Sequence, residues 1–292
     1  MTRGRTGAFG TVAWRELQTV VRTRTYALLA VGLAAVFVQI LRIGGGIDGG
    51  YVPAAVDLLL PMELLVPVVA VALGYRAFSG DNDDLSVLQT YPVSRLSLAG
   101  GVFLGRFAGL AGIVGAPLAV VGAIVAYAGG PESRVFAVHT GADSPVLFVR
   151  FIALTLLFGA VVLAMTMAVS VLVRNSRVAL ALALAVLVAV VAGGDLLALA
   201  GLTAGTIGGD SLTTALAASP NSAYRGLVFE LVVGVVAGRE GAIHVTAGVL
   251  SLTAWLVGSL CVLAIGADGR PAVALRSVGT SWARRVRELI RR

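Results

Sequence analysis

The chain has 292 residues, 58% of them hydrophobic and only 13% charged, with a net charge of +7. A mean hydropathy of +0.95 excludes an ordinary soluble globular protein. All 22 basic residues are arginine, which excludes a P-loop lysine, a Schiff-base lysine and a Ser–Lys dyad.

The remaining reactive residues are few. Cys261 is the one cysteine, so there is no internal disulfide. Cys261, His139 and His244 do not have metal-site spacing, and no G-x-S-x-G or H-E-x-x-H motif occurs. The chain therefore reads as a protein without a catalytic site, a metal or a cofactor of its own. Its Ala-, Val-, Gly- and Arg-rich composition points to a prokaryotic source.

In chain order, Phe9–Arg24 predicts an amphipathic helix. Phe9, Ala13, Leu17, Val20 and Val21 share one face, Arg15, Glu16, Arg22 and Arg24 take the rest, and Trp14 sits at the boundary. Such a helix at the head of a span tends to lie in the plane of the inner leaflet. Six apolar runs follow: Tyr26–Leu41, Leu58–Tyr75, Phe107–Ala128, Phe151–Val173, Val178–Gly193 and Val245–Ala267. Each is about 16–23 residues, the length a helix needs to cross about 30 Å of hydrocarbon.

Within these runs, the second carries Pro61 and Pro67, which predict a kink, and also Glu63. By the helical rise Glu63 lies roughly 9 Å beyond Asp57, below the outer interface. It is either a functional intramembrane acid or a carboxylate near enough to the surface to meet water or Arg42. Gly101, Gly105 and Gly109, four apart, line one face at the start of the third run and predict close helix packing. The fourth run is apolar apart from Thr155, Thr166 and Ser170. Arg174-Asn175-Ser176-Arg177 is a tight turn that makes spans four and five antiparallel neighbours. The long stretch Gly194–His244 holds only short apolar pieces, Leu196–Leu202, Leu212–Ala218 and Leu227–Ala237, too short to span and long enough for re-entrant or interfacial helices. Ser219-Pro220 reads as a helix start. Tyr224 and Arg225 one turn later suit the headgroup level, which makes this segment a candidate gate. The tail repeats the basic amphipathic pattern, with Trp282, Val286, Leu289 and Ile290 set among arginines.

Alternating inside and outside between the runs, seventeen arginines fall on one side. Only five, Arg42, Arg134, Arg150, Arg225 and Arg239, fall on the other. The positive-inside rule places both termini in the cytoplasm. The basic balance therefore reflects orientation in the membrane and implies no nucleic-acid partner.

Between spans two and three the chain reads Asp81-Asn82-Asp83-Asp84-Leu85-Ser86-Val87-Leu88-Gln89-Thr90-Tyr91-Pro92-Val93-Ser94-Arg95. Acids open a short helix with Leu85, Leu88 and Tyr91 on one face, and Pro92 stops it. Leu85, Leu88, Tyr91-Pro92-Val93-Ser94-Arg95, Gly101 and Gly105-Arg106 resemble the cytoplasmic segment of ABC-2 type exporter permeases. That family carries "G-E-R-E-x-G-(S/T)-L-x-L-L-L-S-x-P-(V/I)-S-R" followed by "G-K-x-x-G-R". The acids here are Asp81-Asn82-Asp83-Asp84 in place of Glu-Arg-Glu, about two residues shorter, and Val102 replaces the family lysine. Ser219-Pro220-Asn221-Ser222-Ala223-Tyr224-Arg225 is similar to the "N-P-x-x-A-(Y/F)-R" of the nitrous-oxide reductase maturation permease branch, with Ser in place of Asn.

The resemblance implies one all-α transmembrane domain over 1–292. Its parts are an elbow helix (1–25), a cytoplasmic coupling segment (76–106), an external insertion (194–244) and a basic tail (268–292). It also implies a multi-pass cell-membrane subunit that pairs with a second permease, as a homodimer or otherwise. A separate ATP-binding subunit, which holds ATP and Mg, would dock on Asp81, Asn82, Asp83, Asp84, Leu85, Leu88, Tyr91, Pro92 and Arg95. Glu63, Tyr224 and Arg225 are the pathway candidates. An ion-coupled secondary carrier and a membrane scaffold for maturation of another protein are the rival readings; a carrier would need more intramembrane acids or an inverted repeat.

Overall fold

The structure, a computed structural model, describes residues 3–79, 95–128, 143–173, 175–206, 208, 216–237 and 245–267. Among these residues every regular element is helical. An N-terminal helix α1 (Arg3–Arg22) leads through Thr23, whose backbone is extended, into α2 (Arg24–Gly44). A single turn at Gly46–Gly49 precedes α3 (Tyr51–Gly74). Next come α4 (Leu96–Ala128), α5 (Pro145–Leu172) and α6 (Ser176–Thr203). Helix α7 comprises Pro220–Val228 and continues through Phe229–Val233 to Ala237, and α8 is Val245–Ala267. The six helices α2, α3, α4, α5, α6 and α8 are long and apolar enough to cross a membrane; the chain is a multi-pass membrane protein.

Burial separates the middle of the bundle from its rim. Over half of the apolar window of α3 and of α5 is buried, against 17% for α2, 11% for α6 and 22% for α8. Helix α5 is the hub and packs on α3, α4, α6, α7 and α8. Its Phe151, Phe158, Leu163 and Met167 are fully buried alongside Leu58, Met62 and Leu73 of α3 and Leu110 and Leu118 of α4. In lipid, such packing and satisfied polar groups hold helices together, because the tails are as apolar as the core.

The polar side chains of the hub close on backbone. Thr155 and Thr166 donate to the carbonyls of Phe151 and Val162, each four residues back (2.8 Å in both cases). Helix starts are capped from sequence signals. Ser144 accepts from the Val146 N–H and Asn175 from the Arg177 N–H. Asp143 reaches across to cap α3, accepting from the N–H groups of Tyr51 (2.6 Å) and Val52 (3.1 Å). Asp57 accepts from the Gly46 N–H.

Helices α3, α4 and α6 depart furthest from the expected spans. Helix α3 begins at Tyr51 rather than Leu58, and it runs through Pro61 and Pro67 without a break. Helix α4 is regular from Arg95, twelve residues before the expected start. Its 33 residues make it about 50 Å long, so it extends beyond about 30 Å of hydrocarbon.

Along that extension lies α1, in parallel order. Phe9 meets Gly100, Val12 meets Gly101, Ala13 and Glu16 meet Gly105, and Val20 meets Gly109. A Cβ on Gly105 would stand 2.5 Å from the Ala13 carbonyl oxygen, so the backbones touch there and only glycine fits. Phe9, Ala13 and Val20, expected on lipid, thus rest on protein, whereas Val21, expected on the same face, stays exposed, as does Trp14.

The third difference is α6. It passes Gly193-Gly194, where the expected span ended, and continues to Thr203. Residues Leu196–Leu202 are therefore the last turns of span five. The glycine pair does not stop the helix. A π-helical turn at Ala189–Gly193 widens it, and Gly194 is small because Ser219 occupies the space a Cβ would need.

Candidate functional site: a charge cluster at the tip of a re-entrant helix

Ser219 stands at the head of α7 with Pro220 as first helical residue. The Ser219 side chain makes no cap bond. Its neighbour Ala218 offers its carbonyl to Trp255 Nε1 (2.9 Å) and Ser251 Oγ (3.4 Å) of α8. Trp255 is ten residues into α8, about 15 Å from its arginine-poor end. Gly194, beside Ser219, is nine residues from the end of α6, about 14 Å. Further along α7, Leu227 lies against Gly248 near the start of α8. The Leu231 carbonyl accepts from Arg150 near the start of α5. Helix α7 therefore begins near the middle of the bundle and climbs to the arginine-poor end without crossing. It is a re-entrant helix, as its short apolar pieces predict.

A helix that begins inside apolar surroundings presents free N–H groups and the positive end of its dipole, roughly half a charge. Two carboxylates answer it. Glu63 of α3 is 6% exposed and lies about 18 Å along its helix. It accepts from Asn221 Nδ2 (3.2 Å) and, in a bidentate pair, from Arg225 Nε (2.7 Å) and Nη2 (2.5 Å). Asp195 of α6 accepts from Ser222 Oγ (2.5 Å) and Arg225 Nη1 (3.3 Å). Arg225 thus ties α3 to α6 through α7. Two negative charges, one guanidinium and one helix terminus come close to balance, which makes the cluster tolerable at this depth.

Two backbone features complete the site. Pro67 lacks the N–H that would bond the Glu63 carbonyl, so α3 is loosened at the acid. The π-helical turn of α6 frees the Val191 carbonyl, which accepts from Asn221 Nδ2 (3.4 Å). Among the described residues, Asn221 Oδ1 is buried without a partner.

Tyr224 was expected at headgroup level and is instead fully buried. Its ring stacks on Phe158 with centroids 4.7 Å apart and an interplanar angle of 5°. Its hydroxyl is 2.9 Å from Thr155 Oγ1. The reason is the helix start deep in the bundle, which carries the whole first turn inward. The Arg225 side chain keeps 39% exposure, whereas the Glu63 side chain keeps 8%. Arg42, the alternative partner considered for Glu63, is not in the pair.

Of the docking candidates, Asp81, Asn82, Asp83, Asp84, Leu85, Leu88, Tyr91 and Pro92 lie outside the described residues. Arg95 opens α4, and its side chain is also outside them. The flanks of this segment are described. On one side the Phe78 N–H donates to Ser170 Oγ of α5 (2.9 Å), and Ser79 Oγ donates to the Tyr75 carbonyl (2.7 Å). On the other, Arg106 donates to Glu16 of α1 (3.2 Å) and to the Leu73 carbonyl of α3. The Phe78–Ser79 flank is thus fastened to α5, and Arg106, eleven residues into α4, ties the helix that follows the segment to α1 and α3.

Sequence reasoning missed Asp195, Asn221, Ser222, Glu16 and Ser170 as site residues. Asp195 was hidden by reading Gly193-Gly194 as a span end. Continuing the apolar pattern to Leu202 would have made it an intramembrane acid.

No individually curated protein matches the chain significantly. The family model described as "ABC-2 family transporter protein" matches residues 10–266, from within α1 to the end of α8. The chain therefore belongs to the ABC-2 transporter family and is a membrane-embedded permease component of an ABC transporter.

Proposed function

We propose that this permease couples ATP hydrolysis by a separate ATP-binding subunit to export of a substrate across a prokaryotic cell membrane. Two copies, or one copy and a related permease, would pair with two such subunits. The observation that carries this reading is that the residue pair before the 80–94 segment is tied to α5 and the helix after it is tied at Arg106 to α1 and α3. A push on that segment is delivered at once to α5 through Ser170, to α3 through the Leu73 carbonyl and to α1 through Glu16. Closure of the ATP-binding subunits on Asp81–Arg95 then supplies a nucleotide-dependent bias to the bundle. Glu63, Tyr224 and Arg225 form the gate: Arg225 holds the re-entrant helix against α3 and α6, and its release would let α7 move toward the arginine-poor side. The Ser219–Arg225 motif, whose polar residues build this cluster, supports a place near the nitrous-oxide reductase maturation permeases.

Charge reversal tests the docking. The double variant Asp83→Arg, Asp84→Arg is expected to insert normally and to lose both complex formation and coupled ATP hydrolysis. A stable complex with unchanged coupling in that variant would overturn the proposal.

A further inference from the structure

The first turn of α7 leaves hydrogen-bond donors unmet. Pro220 has no N–H, and the Ala223 N–H is taken by the Ser219 carbonyl. The N–H groups of Asn221 and Ser222 then depend on a side-chain cap, which Ser219 does not give. Neither has another acceptor among the described residues. The Ser219 hydroxyl has no partner there either, although the residue is only 8% exposed.

These donors adjoin a cavity of about 490 Å³ enclosed by α5, α6, α8 and the tip of α7. Ser219 and Pro220 form one wall, and Gly193 and Gly194 of α6, Met165 of α5 and Trp255 of α8 stand around it. The Ser219 hydroxyl lies over Gly194, 2.2 Å from where a Cβ would be. The N–H groups of a first helical turn point back along the axis, here past Ser219 and Pro220. The cavity is thus apolar except at one end, and that end holds only donors.

Depth decides what can answer these donors. Gly194 and Trp255 stand about 14 and 15 Å from the arginine-poor ends of their helices, near the middle of about 30 Å of hydrocarbon. A phospholipid offers only methylene groups there, because its ester carbonyls lie at the interface. The apolar face of a helix from a second copy offers no acceptor either, since its carbonyls are bonded within the helix. A charged acceptor is disfavoured twice. Glu63 and Asp195 already bring two negative charges to the helix start against Arg225, and an ion at this depth is costly. The donors therefore call for a neutral oxygen on an apolar body.

We propose that this cavity binds a small uncharged molecule with an apolar body and a carbonyl-type oxygen, and that such molecules are the cargo class of the permease. The oxygen accepts from the Ser219 hydroxyl and the free N–H groups of the first turn. The body lies against Gly193 and Met165, beside Trp255. Leu197, 74% exposed at the rim, leaves a way in from the bilayer. The same turn carries Asn221 and Ser222, which bond Glu63 and Asp195, so the bound molecule sits directly behind the Arg225 latch. Naming the molecule as cargo rests on the export reading; its binding does not.

The test uses the full-length chain in phospholipid vesicles without an ATP-binding subunit. Trp14→Phe and Trp282→Phe leave Trp255 as the sole tryptophan. Its fluorescence is quenched with methyl 4-bromodecanoate, which carries an ester, or with 4-bromodecane, which carries no oxygen. The ester is expected to quench at about fivefold lower mole fraction in the bilayer. Ser219→Ala is expected to remove that preference while leaving quenching by bromodecane, and the unquenched emission, unchanged. Gly193→Leu, where a Cβ would meet only Ala189 at 3.8 Å, fills the cavity and is expected to weaken quenching by the ester at least about fivefold. It keeps the test decisive if Ser219→Ala misfolds. Equal quenching by the two probes in the parent would overturn the proposal, because water alone would then meet the donors. An ester preference that survives Ser219→Ala would also overturn it. So would rapid disulfide formation between copies through Leu197→Cys in a Cys261→Ala background, undiminished by the ester, because a second chain would then cover the cavity. Every readout comes from the chain alone, so a failure of ATP coupling would leave these results untouched.

Discussion

Removing Arg225 and removing Glu63 are predicted to have unequal effects, although the two side chains form one ion pair. Arg225→Met leaves the Glu63 carboxylate, 8% exposed as a side chain, with only the Asn221 amide as donor. Breaking a buried pair in this way costs about 3–5 kcal/mol. The Arg225 side chain is 39% exposed, so the pair is not fully enclosed, and the lower figure of about 3 kcal/mol applies. That is a factor of roughly a hundred in the folding equilibrium. Glu63→Met leaves Arg225 paired with Asp195, itself 36% exposed, and with water. The cost is then about 1 kcal/mol. The double variant removes both buried charges and is expected near the milder single variant, also about 1 kcal/mol. Equilibrium denaturation in mixed micelles gives all four corners of the cycle, with an expected coupling energy of about 3 kcal/mol. Equal losses in the two single variants, adding in the double, would refute the argument that Arg225 neutralises an otherwise stranded acid.

Other consequences follow from contacts elsewhere. Gly105→Val places side-chain carbons against the Ala13 carbonyl and is expected to cost at least about 1–3 kcal/mol by overpacking and, by loosening α1, to speed tryptic cleavage at the already exposed Arg15 and Arg22. Gly112→Ala on the same helix, where nothing lies within 4 Å, is expected to stay within about 0.5 kcal/mol of wild type in the same melt. Tyr224→Phe keeps the stack on Phe158 and loses only the Thr155 contact, so about 1 kcal/mol is expected. Tyr224→Ala empties a fully buried site and is expected to cost about 3–5 kcal/mol in thermal or denaturant unfolding. In a Cys261→Ala background, a cysteine at Tyr127, 95% exposed, is expected to react with impermeant reagent from outside intact cells, and one at Asp83 is not. The reverse labelling would invert the topology.

The six spans were legible because lipid demands long, uninterrupted apolar helices, and that demand is written residue by residue. Their ends were less so. Tyr51–Asp57 and Arg95–Arg106 are helical turns with mixed polarity, stabilised by Asp143, by Asp57 and by the packing of α1, none of which leaves a periodic signal. Gly193-Gly194 looked like punctuation because glycine often ends helices; here it accommodates Ser219 from another element, a reason visible only in three dimensions. Glu63 stood out as an intramembrane acid, and Tyr224-Arg225 as part of a motif. Their meeting joins residues more than 160 positions apart, and nothing local forecasts such a contact.

The central claim is that this permease works only as half of an ATP-driven machine. The direct measurement is ATP hydrolysis by a candidate ABC ATP-binding subunit, alone and after co-purification with the chain in reconstituted vesicles. The account predicts a stable complex whose hydrolysis rises well above that of the free subunit. A subunit that never co-purifies, or that hydrolyses ATP at the same rate with and without the permease, would contradict it.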